Sequence, residues 1–243
     1  MKKRYAERSY RKRVNAQGLV SFEVIIKETD LWVSAGKDLE KETQDLVLQA
    51  RHQIETYIRT HPVFLTTLKP YPEDPLAPPL VREMISATRP SGVGPMASVA
   101  GAIAEFVGRG LLNSTDQVIV ENGGDIFLMA NRPVTVSIFA GDSPLSEKLG
   151  LRIPARQMPL GVCTSSGTIG HSLSLGAADA ACVLSASTAL ADGAATALGN
   201  RIQGKGDLAG IEEWAASIPG VLGCLVILGD RMTAWGDIEL TEL

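Results

Sequence analysis

Four short stretches of this 243-residue chain collect the residues that could do chemistry. In Ala191-Asp192-Gly193-Ala194-Ala195-Thr196 a carboxylate and a hydroxyl stand at i and i+4, so on a helix they share one face about 5–6 Å apart. Two hard oxygen donors among small neighbours suit Mg²⁺, which keeps several waters and takes further ligands from a substrate phosphate. The same spacing also fits a helix that starts at Asp192, with the carboxylate as its cap and Thr196 packed inside. In Glu121-Asn122-Gly123-Gly124-Asp125 there is one glycine and one carboxylate more than an Asn-Gly turn requires. Gly123 and Gly124 permit close backbone approach to a ligand, and Asp125 can accept from ribose hydroxyls or a base, or hold a cation.

The third stretch runs from Gly161 through Cys163, Thr164, Ser165, Ser166 and Gly167 to His171. Hydroxyls and free amides at a strand end bind phosphate or a polar ring edge, and His171 is a candidate general base or a satisfied structural histidine. With Cys163 nearby, a Cys/His nucleophilic pair is a further option, set against the usual fate of a strand-end cysteine as a small buried hydrophobe. The fourth is Ser91-Gly92-Val93-Gly94-Pro95-Met96-Ala97, which formally satisfies G-x-G-x-x-A. A dinucleotide fingerprint needs a strand before it, and the preceding LVREMISAT reads as helix. What remains is either an ordinary helix-breaking turn or a loop in which Gly92 and Gly94, ahead of Pro95, present amides to a phosphate.

The elements that must carry these stretches follow from periodicity. Two alternating runs from Leu19 to Ala35 around Glu28-Thr29-Asp30 predict a β-hairpin. A helix follows from about Leu39 to Thr60, then a proline-rich loop over 69–79, then a helical stretch from Leu80 to Leu112 broken between Arg89 and Pro95. Val118–Glu121 and Ile126–Met129 flank Asn122-Gly123, a hairpin signal, and VTVSIFA adds a third strand. Strands at LRIPA, PLGVC and AACVLSA, helices over 188–201 and 211–216, and a closing pair VLGCLVIL and MTAWGDIEL complete the chain. Strands, helices, strands occurs twice, which predicts an α+β antiparallel protein of one domain, 1–243, built from two similar ββααββ halves near 15–140 and 145–243.

Composition narrows the setting. A chain of 25.8 kDa with 45% hydrophobic residues can bury about 70% of its unfolded surface without disulfide or metal staples. Three widely spaced cysteines and no C-x-x-C point to the reducing cytoplasm. The basic start MKKRYAERSYRKR is followed by no apolar signal segment, and no run of apolar residues is long enough for a membrane. Net charge is −4 in spite of that basic start, so the body is acidic and repels nucleic acid.

In order along the chain, a small-residue helix, ENGGD, a Ser-Gly segment with a following histidine, and ADGAATAL resemble the ApbE-like flavin transferases, whose patterns are N-x-G-G-D and A-D-A-x-[AS]-T-A. The likeness covers about residues 90–200 and implies a duplicated, T-fold-like α+β arrangement. It implies FAD bound near Asn122, Gly123, Gly124 and Asp125, a Mg²⁺ held by Asp192 and Thr196, and His171 as the family's histidine. The implied activity passes the FMN half of FAD to a hydroxyl of an acceptor protein and releases AMP. The chain departs from the family pattern in three places: no lysine follows Ala97, Ser166-Gly167-Thr168 stands where the family has Ser-Gly-Asp-Tyr, and His171-Ser172-Leu173-Ser174-Leu175-Gly176 stands where it has His-x-x-Asp-Pro-x-x-Gly. A flavin- or nucleotide-binding module without catalysis, and assembly into a homo-oligomer, are both compatible with the same motifs.

Overall fold

The computed structural model describes residues 18–167 and 175–243. Strands β1 (Val20–Ile26) and β2 (Thr29–Ala35) lead into helix α1 (Glu40–Thr60), the short α2 (Val63–Thr66), α3 (Pro79–Thr88) and α4 (Val99–Leu111). β3 (Val118–Asn122), β4 (Asp125–Met129), β5 (Val134–Ser137), β6 (Leu149–Ile153), β7 (Leu160–Ser165) and β8 (Ala180–Ser185) follow, then α5 (Thr188–Arg201), α6 (Ile211–Ala216), β9 (Val221–Leu228), β10 (Arg231–Gly236) and β11 (Leu240–Glu242).

Eight strands form one sheet in the order β1-β2-β3-β4-β7-β8-β9-β10, every pair antiparallel. The mixed, antiparallel architecture with helices against a sheet is the one the pattern of elements predicts. Two ββ–helix–ββ runs lie side by side in this sheet and meet where β4 pairs with β7. Side chains alternate across it, as period-2 strands require. On one face Val120, Phe127, Cys163, Val183 and Cys224 pack under the helices, whose own stripes supply Val47, Ala50, Ile54, Leu80, Met84, Val107 and Leu198. On the other face Ile119, Ile126, Leu128, Val162, Cys182 and Leu225 meet Val136, Leu151 and Ile153 of a three-stranded sheet, β11-β6-β5.

Several boundaries move. The first hairpin turns at Lys27-Glu28, with Lys27 at φ +54°, and Thr29 and Asp30 pair with Ile26 and Ile25 as strand residues. The turn of the second hairpin is Gly123-Gly124, at φ +69° and +108°, rather than Asn122-Gly123. Two successive positive φ values are what the tight hairpin turn demands, and two glycines meet that demand without steric cost. Asn122 and Asp125 thereby become strand residues directly opposite one another. The expected last strand divides at Gly236, whose φ of +81° sends the chain to the small sheet as β11.

Candidate functional site

The Gly123-Gly124 turn, the end of β7 and the first turns of α4 and α5 meet on the helix face of the large sheet. The local sequence explains each placement. Asn122 and Asp125 share a face with Phe127 by strand alternation and so point toward the helices. The Asn122 side-chain amide donates to the Ala100 carbonyl at 3.0 Å, and the Glu121 carboxylate accepts from the Gly124 N–H at 2.8 Å, which pins the turn. A Cβ on Gly124 would rest 3.7 Å from the Thr164 carbonyl, so the turn lies close against β7.

Asp192 lies inside α5 and does not start it. That helix is capped by Ser187, whose hydroxyl accepts from Leu190 N. Asp192 instead caps a different helix: its Oδ2 accepts from the Gly101 N–H at 2.8 Å, with the Ala100 amide adding to the interaction, at the first turn of α4. Burial pushes the Asp192 carboxyl up to about 7, against the pull of those two amides. Asp125 is raised as well, first by burial and then by the Asp192 charge beside it, against hydrogen bonds to Cys163 and the Thr164 backbone. Two buried carboxylates with mutually unfavourable charge are thus gathered from distant parts of the chain. Thr196 stands one turn beyond Asp192 on α5, half-buried.

Other sequence-predicted residues fall in different roles. Gly94 is buried, and its missing Cβ leaves room for the Thr67 carbonyl, so packing alone requires this glycine. Gly92 is exposed, with φ +76°, in the turn after α3. A 3-10 turn over Pro95–Ser98 starts at Pro95 as the sequence suggests and leads into α4 at Val99, whose Ala100 and Gly101 amides are engaged by Asp192, so amides offered to a phosphate here would be those of the turn ahead of α4. Ser91 approaches the site through Gly193, whose added Cβ would meet the Ser91 Oγ at 3.6 Å. Thr164 and Ser165 end β7, and Ser165 packs on Gly199 of α5; Ser166 and Gly167 continue from there. His171 lies outside the described residues. The Cys/His nucleophilic pair is not supported, because Cys163 is fully buried, its thiol donates to the Thr188 carbonyl at 3.4 Å, and burial together with Asp125 and Asp192 pushes it well above the usual thiol range. A thiol held protonated in that way is a poor nucleophile.

One carboxylate at the site escaped the motif reading. Glu105, 4% exposed on α4, accepts from the Thr188 N–H at 2.6 Å with Oε2 and pairs with Arg109 through Oε1. Its sequence signal was a lone acid among Ala102, Ile103, Ala104 and Val107, all buried.

Oxygen donors dominate. Among the described residues no group of three His, Cys, Asp or Glu side chains could hold a metal, so a cation here would rely on two carboxylates, hydroxyl, water and ligand oxygens. Asp125 and Asp192, buried side by side with their ionised forms disfavoured, have the chemistry that a hard divalent cation relieves. The residues present therefore fit Mg²⁺.

The fold and this site define a chain of the ApbE type. A family profile described as AbpE bacteria matches residues 11–217, and the chain belongs to that family. A "UPF0280 protein" of Methanocella arvoryzae is 44% identical over 87% of this chain and 86% of its own length. A "UPF0280 protein" of Methanocaldococcus jannaschii is 39% identical over 88% and 90%. Among solved structures, the apo flavinyl transferase ApbE of Pseudomonas stutzeri superposes with a TM-score of 0.58 at 15% identity, covering 89% of this chain and 94% of that one, a likeness of fold.

Proposed function

We propose that this protein binds a flavin dinucleotide with Mg²⁺ and acts on it as an FAD:protein FMN transferase-like enzyme of the cytoplasm. The observation that carries the reading is the pairing of buried Asp125 and Asp192 beside a double-glycine turn on an ApbE-type fold. Bound Mg²⁺ supplies neutralisation of pyrophosphate charge, which phosphoryl transfer needs more than covalent help from the protein. Asp192 and Thr196, with Asp125 at their side, would hold it. The Gly123-Gly124 turn lets the nucleotide approach the backbone, and Thr164, Ser165, Ser166 and Gly167 offer hydroxyls and amides to its polar edges. His171 would take the proton of the attacking acceptor hydroxyl. The bond between the FMN phosphorus and the bridging oxygen breaks, a new phosphorus–oxygen bond forms to that hydroxyl, and AMP leaves with the bridging oxygen. Two similar halves, near 15–140 and 145–243, would then share one site in one domain.

A second reading, binding without transfer, is favoured by two sequence observations: the absent lysine after Ala97 and the reduced His171-Ser172-Leu173 element. Titration of FAD with Mg²⁺ or with EDTA, followed by chromatography for AMP, separates the two. Mg²⁺-dependent binding with AMP release supports the transferase, binding without AMP supports the module, and no Mg²⁺ dependence overturns the metal assignment.

A further inference from the structure

We propose that Glu105 is a positioning residue for Asp192, holding the start of α5 on α4 so that the Asp192 carboxylate stays on the Gly101 amide, beside Asp125. The proposal rests on the reading of Asp192 as a metal ligand for its functional meaning, and on geometry alone for the positioning itself. Gly101 and Glu105 are one turn apart on α4, and Thr188 and Asp192 are one turn apart on α5, so each pair shares a helix face. The two faces interlock: the Gly101 N–H donates to Asp192 at 2.8 Å, and the Thr188 N–H donates to Glu105 at 2.6 Å. Each helix thus supplies the carboxylate that satisfies the other's exposed amide end, where negative charge is favoured by the helix dipole.

The crossing leaves no slack. A Cβ on Gly101 would stand 2.5 Å from the Thr188 carbonyl oxygen and 2.8 Å from the Asp192 Cβ. Removing the Glu105 acceptor leaves a buried Thr188 amide without a side-chain partner and releases the turn of α5 that carries Asp192. Arg109 serves the other Glu105 oxygen from a half-exposed position and stands 5.7 Å from the Phe127 ring centroid, which fixes the Glu105 rotamer. Groups that orient a metal-ligating side chain typically account for about 10–100-fold in metal affinity.

The test compares Glu105→Ala, Glu105→Gln and Arg109→Met in the full chain, with two readouts. The first, needing no metal, is the Gly101 amide in nuclear magnetic resonance: its proton shift and its exchange protection report the Asp192 hydrogen bond. The second is calorimetric affinity for Mg²⁺ in the presence of FAD. Glu105→Ala should move the Gly101 proton upfield, lower its protection and weaken Mg²⁺ by about 10–100-fold; Glu105→Gln, whose amide oxygen still accepts from Thr188, should keep the Gly101 signal, and Arg109→Met, which frees the Glu105 rotamer while keeping its carboxylate, should displace it in the same direction but by less. If Glu105→Ala does not fold, Glu105→Asp, one methylene shorter with the charge kept, must show the same displacement. An unchanged Gly101 amide in the folded variant overturns the proposal. A displaced amide with wild-type FAD binding indifferent to Mg²⁺ supports the positioning and overturns the metal assignment instead.

Discussion

The carboxylate of Asp192 caps a helix 91 residues away, accepting the Gly101 N–H at 2.8 Å from the opposite half of the chain. That single bond joins the acidic motif near the C-terminal half to the small-residue helix of the first half, and it sets the terms for each expectation below.

Asp192→Asn keeps an oxygen for Gly101 and removes the charge. Nucleotide binding should lose its dependence on Mg²⁺, while the thermal midpoint shifts only slightly, because a polar isostere preserves the cap. Calorimetric titration of FAD with Mg²⁺ and with EDTA reads the first effect, and scanning calorimetry the second. Persistent Mg²⁺ dependence in the variant would leave Asp192 as a structural cap only.

Gly101→Ala forces a methyl group into the helix crossing, where the neighbour is the backbone carbonyl of Thr188 rather than a yielding side-chain tip. Overpacking of this kind costs about 1–3 kcal/mol, and the backbone obstacle places this site at the upper end. Urea denaturation should show a lower midpoint with an unchanged slope. A variant as stable as the wild type would mean that the α4–α5 crossing can shift.

Glu83 on α3 has its carboxyl raised from 4.5 to about 7, first by burial and then by the nearby Glu105 charge, with Arg109 opposing. A carboxyl raised on folding binds its proton more tightly in the folded chain. Its contribution is therefore full below about 4.5 and is lost as pH rises through about 7. Glu83→Gln removes that titration, so the wild type should gain melting temperature relative to the variant as pH falls from 8 to 5. Parallel melting curves for the two across that range would show that Glu83 keeps an ordinary carboxyl in the folded state.

Cys163, Cys182 and Cys224 are all free and buried, and burial raises each thiol. None should react with a thiol reagent in the native protein, and all three should label together on unfolding. Cys163→Ala should retain FAD handling. Loss of activity with the fold intact would revive a role for the thiol.

Periodicity made most elements legible, since α1 buries Val47, Ala50 and Ile54, α4 buries Gly101 and Ala104, and β3 and β4 form where their apolar runs stand. The turns were less legible. Lys27 adopts positive φ without being a residue type that advertises it, so the first hairpin centre was read too far along. Asn122 looked like half of a turn because Asn-Gly is the stronger short-range signal, yet the following glycine takes the second turn position and frees Asn122 to hold the Ala100 carbonyl. At the site, motifs disclosed Asp125 and Asp192 but not what their side chains would do. Whether Asp192 caps its own helix or another is decided by tertiary approach, which carries no trace in local spacing. Glu105 shows the converse: its meaning lies in a partner 83 residues away.

Because the first turns of α4 and α5 each rest an amide on a carboxylate borrowed from the other helix, each half of the chain lacks one acceptor that its own helix uses, even though Ser187 caps α5 locally. A polypeptide cut in the connection between β5 and β6 would yield an N-terminal fragment in which Glu105 keeps Arg109 but loses Thr188 and the Gly101 amide is bare, and a C-terminal fragment in which Thr188 and Asp192 lose those partners. Such fragments should stay unstructured apart and regain the fold only as a mixture, so complementation of the two pieces would itself reassemble the pair of acids at the centre of the proposed site.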